Sequence, residues 1–165
     1  MPAGQAAITV DGLSLTLERF AAVVLERRPV VLDQGARSRV RAAREVIERA
    51  AESGEAVYGV TTGFGNLANV RIAHDDLETL QERLVLSHAA GMGEPLAEEE
   101  TRAMLLLRAN TLARGHSGVR ELLLERLLEM LNRGLHPVVP SRGSVGASGD
   151  LAPLAHLALP VLGRG

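Results

Sequence analysis

Apolar positions along this chain recur mostly every three or four residues, so the pattern predicts a mainly α-helical protein. The exception comes first. Ile8 to Leu15 alternate around the turn dipeptide Asp11-Gly12, which predicts a small hairpin or short strands near the N-terminus. Leu17, Phe20, Ala21 and Val24 then take helical spacing, and Pro29 ends that helix. Val30-Val31-Leu32 reads as a short strand. A second helix carries Val40, Ala43, Ile47 and Ala50 on one face, with Gly54 suited to its C-terminal cap.

The rhythm breaks between Val57 and Ile72, a long glycine-bearing loop of the kind that usually carries function. A third helix starts near Asp75-Asp76, buries Leu77, Leu80 and Leu84, and is expected to be capped by Gly91. Pro95 and Glu98-Glu99-Glu100 open a fourth, which runs through Arg114 to Gly115. Its Ala103 to Leu107 segment is apolar all round, which predicts burial between other helices. A fifth spans Val119 to Arg133 and stops at Gly134. His136 to Pro140 form an extended link. A sixth begins after Asp150, with Asp150 as N-cap and Pro153 in its first turn, and bends or ends at Pro160.

Composition narrows the chemistry. The chain has 165 residues, 46% of them hydrophobic and 23% charged, which fits one soluble globular domain. Only 2% are aromatic, so the core must be built from Leu, Val and Ala. A net charge of -2 gives no reason to expect nucleic acid or a membrane as partner. No signal peptide or membrane-length apolar run is visible, and the expected location is the cytoplasm. There is no cysteine, and every formally basic residue except histidine is arginine. Without lysine, no pyridoxal Schiff base can form on this chain. His74, His116, His136 and His156 show no zinc-ligand spacing, so no metal is expected, and they read as capping, surface or packing residues.

Residues 141–156, Ser-Arg-Gly-Ser-Val-Gly-Ala-Ser-Gly-Asp-Leu-Ala-Pro-Leu-Ala-His, hold the densest chemical signal. Taken as composition, a Gly/Ser-rich turn before a helix is the ordinary meaning of such a run. The small residues also give the backbone room to fold back, bringing the Gly149 amide nitrogen onto the Ala147 carbonyl carbon. Loss of water there and from the Ser148 side chain would leave a five-membered ring with an exocyclic methylidene, a strong electrophile.

This run resembles the signature of the aromatic amino acid ammonia-lyases and aminomutases. In that family an Ala-Ser-Gly triplet becomes 4-methylidene-imidazol-5-one (MIO). Two further stretches match in the family's order. Tyr58-Gly-Val-Thr-Thr-Gly-Phe-Gly65 is similar to the inner loop whose tyrosine abstracts the substrate β-proton. Leu86-Ser87-His88-Ala89-Ala90-Gly91 is similar to the substrate-selectivity segment. A free phenol ionises near pH 10, so a tyrosine base needs surroundings that stabilise phenolate. Spacing alone reads His88 as a core histidine. The Ser87-His88 pair resembles the histidine-specific branch of the family, although some tyrosine aminomutases carry histidine there too. The stretch from Arg108 to Arg120 also resembles the family, and its arginines read as a solvated or intersubunit face.

The resemblance implies that residues 1–140 form an N-terminal helical region holding the Tyr loop (57–72). Residues 141–165 would then be the MIO-forming segment and the start of a central helical bundle. It implies catalytic roles for Tyr58, Ala147, Ser148 and Gly149, and a substrate-binding role for His88. The implied cofactor is the self-derived MIO, with no pyridoxal phosphate and no metal. The implied reaction is elimination of ammonia from L-histidine to give urocanate, by a homotetramer acting on a small amino acid. A tyrosine or phenylalanine lyase or aminomutase, and a non-catalytic helical assembly module, remain as alternatives. Family members are several-fold longer. Their later segments supply an Asn beside MIO, a second Tyr, an Arg for the substrate carboxylate and an acidic residue. A chain of 165 residues is therefore expected to be an incomplete fragment with little activity alone.

Overall fold

The computed structural model describes residues 6–164, apart from the side chains of Leu67 and His74. The chain opens as strand β1 (Ile8–Val10), helix α1 (Leu17–Val24) and strand β2 (Val30–Leu32). The two strands pair in parallel, Ile8 beside Val30 and Val10 beside Leu32. Those four side chains are buried while Thr9 and Val31 between them are exposed, the period-two pattern of a half-covered strand.

The expected hairpin at Asp11-Gly12 does not form. The Asp11 carboxylate accepts hydrogen bonds from the Leu13 and Ser14 amides, both at 2.8 Å, and turns the chain outward. Gly12 takes φ +82°, and a Cβ there would sit 2.7 Å from the Arg114 amide nitrogen. Its own N–H donates to the Asn110 side-chain oxygen at 3.0 Å. The turn is thus docked on a distant helix end and cannot fold β1 back onto its neighbour.

Thr16 caps α1, its hydroxyl accepting from the Arg19 amide. The helix stops at Val24, well short of Pro29, and Arg27 reverses the chain at φ +58°. Its buried residues are Ala22, Val23 and Val24, whereas Leu17 is 83% exposed. The expected Leu17 face is therefore displaced toward the C-terminal turn, where the carbonyls meet Arg102.

Helix α2 (Gln34–Ser53) is capped by Asp33 at its start and by left-handed Gly54 at its end. Helix α3 (Leu77–His88) follows the glycine loop. Leu77, Leu80 and Leu84 are half-buried rather than buried. Gly91 does not cap it; α3 closes on the Ala89 amide bonding to Val85. Pro95 belongs to strand β3 (Met92–Pro95), so helix α4 (Glu98–Leu112) starts later, with the Glu100 carboxylate accepting from the Ala97 amide. Helix α5 (Glu121–Arg133) packs on α4 and ends at left-handed Gly134. Strand β4 (Pro140–Arg142) pairs antiparallel with β3, and helix α6 (Leu151–Ala158) packs on α3. A 3-10 turn over Leu159–Leu162 carries Pro160.

The core lies between β1, β2, α1, α4 and α5. Leu105, Leu106 and Ala109 of α4 and Leu124 of α5 are wholly excluded from solvent. Leu107 remains 49% exposed, so the apolar Ala103 to Leu107 stretch is covered on one side only. Among the described residues, Arg102 is the charged group inside. It donates to the carbonyls of Val23, Val24 and Leu131, capping the ends of α1 and α5. Asn132 extends the β2 edge, exchanging both hydrogen bonds with the Val30 backbone at 2.8 and 2.9 Å.

Candidate active site

Tyr58 stands at the start of a loop that is stitched to itself. The buried hydroxyls of Thr61 and Thr62 accept from the Val57 and Gly59 amides at 2.8 and 3.3 Å. Thr62 bridges Arg71, and the Gly63 amide donates to Val70 at 3.1 Å. Gly59 takes φ +71°, where a Cβ would lie 3.0 Å from the Phe64 ring. Gln81 of α3 donates to the Gly59 carbonyl at 3.1 Å and fixes the loop to the helix. The Tyr58 and Phe64 rings meet edge to face, their centroids 5.8 Å apart. Tyr58 itself is 63% exposed.

His88 is the last residue of α3 and is half-buried. Its Nδ1 lies 2.8 Å from the Leu84 carbonyl oxygen. A carbonyl only accepts, so Nδ1 carries the proton and Nε2 is the ring nitrogen left for another partner. The Ser87 hydroxyl donates to the same carbonyl at 2.8 Å. The pair therefore shares one acceptor, and the helix end orients the imidazole.

Tyr58 and His88 line one cavity of about 490 Å³. Its other walls are largely aliphatic and come from α3, α4, α5 and α6, including Leu154 and Leu157. Arg108 of α4 is the charged residue on that lining and has no ion-pair partner among the described residues. Its spacing in the sequence suggests only a solvated or intersubunit face; it reaches the cavity because α4 packs on α5 while α3 packs on α6, and the cavity opens among the four helices.

Ala147, Ser148 and Gly149 are not on that lining. They sit in a turn between β4 and α6, with Ala147 and Ser148 exposed and Gly149 half-buried. Gly146 and Gly149 take φ +87° and +72°, and a Cβ at either would meet no atom within 4 Å. Leu151, at the first turn of α6, does line the cavity. The turn is therefore adjacent to the cavity but outside it. Its positive-φ glycines and surrounding open space suit a backbone that must close on itself, so the three residues fit the ring-forming chemistry. Asp150 precedes α6 as expected, though its side chain makes no capping hydrogen bond.

The remaining histidines are mostly structural. His136 touches Arg102, and His156 accepts from the Gly91 amide at 3.0 Å; the side chain of His74 lies outside the described residues. Among the described residues, no three His, Cys, Asp or Glu side chains gather as metal ligands, and no helix is long and apolar enough to cross a membrane.

The aromatic amino acid lyase family model matches residues 15–165. A histidine ammonia-lyase of Anaeromyxobacter dehalogenans is 59% identical over 158 residues, covering 96% of this chain and 31% of the relative. The chain thus spans about a third of the length of the curated relatives it matches. Among solved structures, tyrosine aminomutase from Streptomyces globisporus superposes with a TM-score of 0.89 at 41% identity, over 97% of this chain and 30% of that one. Histidine ammonia-lyase from Trypanosoma cruzi gives 0.85 at 40% identity, over 97% and 30%.

Proposed function

Because this chain belongs to the aromatic amino acid lyase family, we propose that it supplies the Tyr loop, selectivity segment and ring-forming turn of a histidine ammonia-lyase. The reaction is elimination of ammonia from L-histidine to give urocanate. The observation that carries this reading is the shared cavity of Tyr58 and His88, beside α6 and its preceding turn.

The electrophile is made from the chain. The Gly149 nitrogen bonds to the Ala147 carbonyl carbon, whose oxygen leaves as water with the amide protons of Gly149 and Ser148. Ser148 then loses its hydroxyl and Cα hydrogen as a second water. When formed, the MIO ring supplies an electron sink that makes ammonia a feasible leaving group. Tyr58 takes the β-proton of the substrate, its phenol oxygen being the basic atom. His88, with Nδ1 engaged by Leu84, offers Nε2 as an acceptor to the N–H of the substrate imidazole. The aliphatic walls leave few competing polar groups around that contact.

The whole enzyme is a cytoplasmic homo-oligomer, a tetramer in this reading, whose active site is completed by segments beyond those matched here. Leu122, Leu135 and Leu162, exposed together on one open face, support such a packed assembly. A second reading is an aminomutase of the same family, favoured by the likeness to tyrosine aminomutase; it would return ammonia to the β-carbon.

Two measurements test the proposal. Intact mass of this chain, alone and joined to the remaining segments of the Anaeromyxobacter relative, should fall short of the unmodified value by two waters, and Ser148→Ala should restore it. The joined protein should convert L-histidine to urocanate, whereas a β-amino acid product from tyrosine would establish the aminomutase. An unmodified mass in the joined protein overturns the reading.

A further inference from the structure

We infer that His156 is a positioning residue: it holds the Ser87–Gly91 segment, and with it the His88 ring, against the helix that follows the Ala147-Ser148-Gly149 turn. This rests on the proposed function for its catalytic meaning, but its structural half stands by itself. Three contacts meet at or beside Gly91. The Gly91 N–H donates to His156 Nε2 at 3.0 Å, across 65 residues of sequence. The strand pair beside it sets Met92 opposite Arg142. The Gly91 and Gly143 backbones pass so close that a Cβ on Gly143 would lie 3.1 Å from the Gly91 Cα.

The side chains leave no slack at this junction. A Cβ on Gly91 would meet His156 Nε2 at 3.0 Å and the Pro140 Cβ at 3.2 Å. A Cβ on Gly143 would also press on Ala152 of α6 at 3.1 Å. So α6 approaches the selectivity segment through two glycines and one imidazole. Accepting at Nε2 requires His156 to carry its proton on Nδ1. Between His88 and Gly91 the chain is itself tightly turned, the Ala90 amide donating to the His88 carbonyl at 2.8 Å. A displacement of Gly91 is therefore passed to the end of α3 and to the His88 ring. The strand pair fixes the ladder direction; the His156 bond is the contact that ties this turn to α6 by a side chain.

The test compares His156→Leu, which keeps bulk but removes the acceptor, with His156→Gln, which returns one. On this chain, hydrogen exchange and the His88 ring resonances are followed by NMR. His156→Leu should speed exchange of the Gly91 amide about fivefold to tenfold and shift the His88 ring signals, and His156→Gln should restore both. Amides of the β1–β2 ladder should keep their protection in both variants. In the protein joined to the remaining segments of the Anaeromyxobacter relative, His156→Leu should raise KM for L-histidine about fivefold while kcat falls less. Unmoved Gly91 exchange and His88 signals overturn the inference, as does equal loss of protection in the β1–β2 ladder, which would mean general destabilisation. If the unsubstituted protein neither loses two waters nor turns over histidine, the functional reading fails, and the NMR comparison alone decides the role of His156.

Discussion

The buried Arg102 guanidinium places Nη1 3.1 Å from Nε2 of half-buried His136, and among the described residues no carboxylate is in hydrogen-bond contact with it. The charge is carried instead by helix-end carbonyls and this ring. Arg102 and His136 are thus one unit joining α1, α4 and α5, and the unit has consequences for stability.

Removing the guanidinium should be costly. In Arg102→Met the carbonyls of Val23, Val24 and Leu131 would lose their donor within the core. Leaving such groups unsatisfied costs about 3 kcal/mol in total. The measurement is the urea midpoint of unfolding. Arg102→Lys should recover little, because one ammonium cannot reach acceptors on two helices in the guanidinium geometry.

Stability should fall on mild acidification. Burial, with the neighbouring Arg102 and Arg27 charges, pushes the His136 imidazole below its ordinary range, while Glu98 opposes. The native state therefore holds His136 neutral, and the unfolded chain takes up a proton first. Stability is full above about pH 6.5 and is lost as pH falls from there through the folded value. His136→Gln keeps an acceptor for Arg102 but does not titrate, so its unfolding midpoint should change less between pH 7.5 and pH 5.5.

A second acid step belongs to Asp11. Hydrogen bonds from the Leu13 and Ser14 backbone hold its carboxyl at about 2, below its ordinary 3.8. That contribution is present above the unfolded value and disappears as pH falls through about 2. Asp11→Asn should lack this step in acid unfolding followed by circular dichroism.

Gly115→Ala tests the docking of α2 on the end of α4. Gly115 has φ +79°, and a Cβ would lie 2.6 Å from the Arg39 Cβ and 2.8 Å from its backbone carbon. Backbone cannot yield as a flexible side chain can. A loss of about 2 kcal/mol or more is expected by thermal unfolding, from positive φ and overlap together.

For catalysis, His88→Phe in the protein joined to the remaining segments of its Anaeromyxobacter relative should raise KM for L-histidine and favour a phenyl-bearing substrate. Tyr58→Phe should lower kcat by about a hundredfold or more while the two-water mass loss persists. The split separates substrate recognition and proton abstraction from ring formation.

Local chemistry wrote much of this fold into the sequence. Asp33 before α2, Gly54 after it and Gly134 after α5 act through bonds that span a few residues, so their meaning is visible in a short window. The motif residues Tyr58, His88 and Ala147-Ser148-Gly149 likewise stand out within short runs of sequence. What the window could not contain was any contact between distant segments. The Asp11-Gly12 turn read as a hairpin because its partner, Asn110, lies on another helix. The β3–β4 pair has no alternation to betray it, since its strands are short and mostly exposed. Arg108 lines the cavity because α4 packs on α5, and His156 meets Gly91 because α6 packs on α3. Sequence determined which side chains and turns were available, because propensity and capping are local. Tertiary structure decided which of them meet, because burial and hydrogen bonding are settled by neighbours in space.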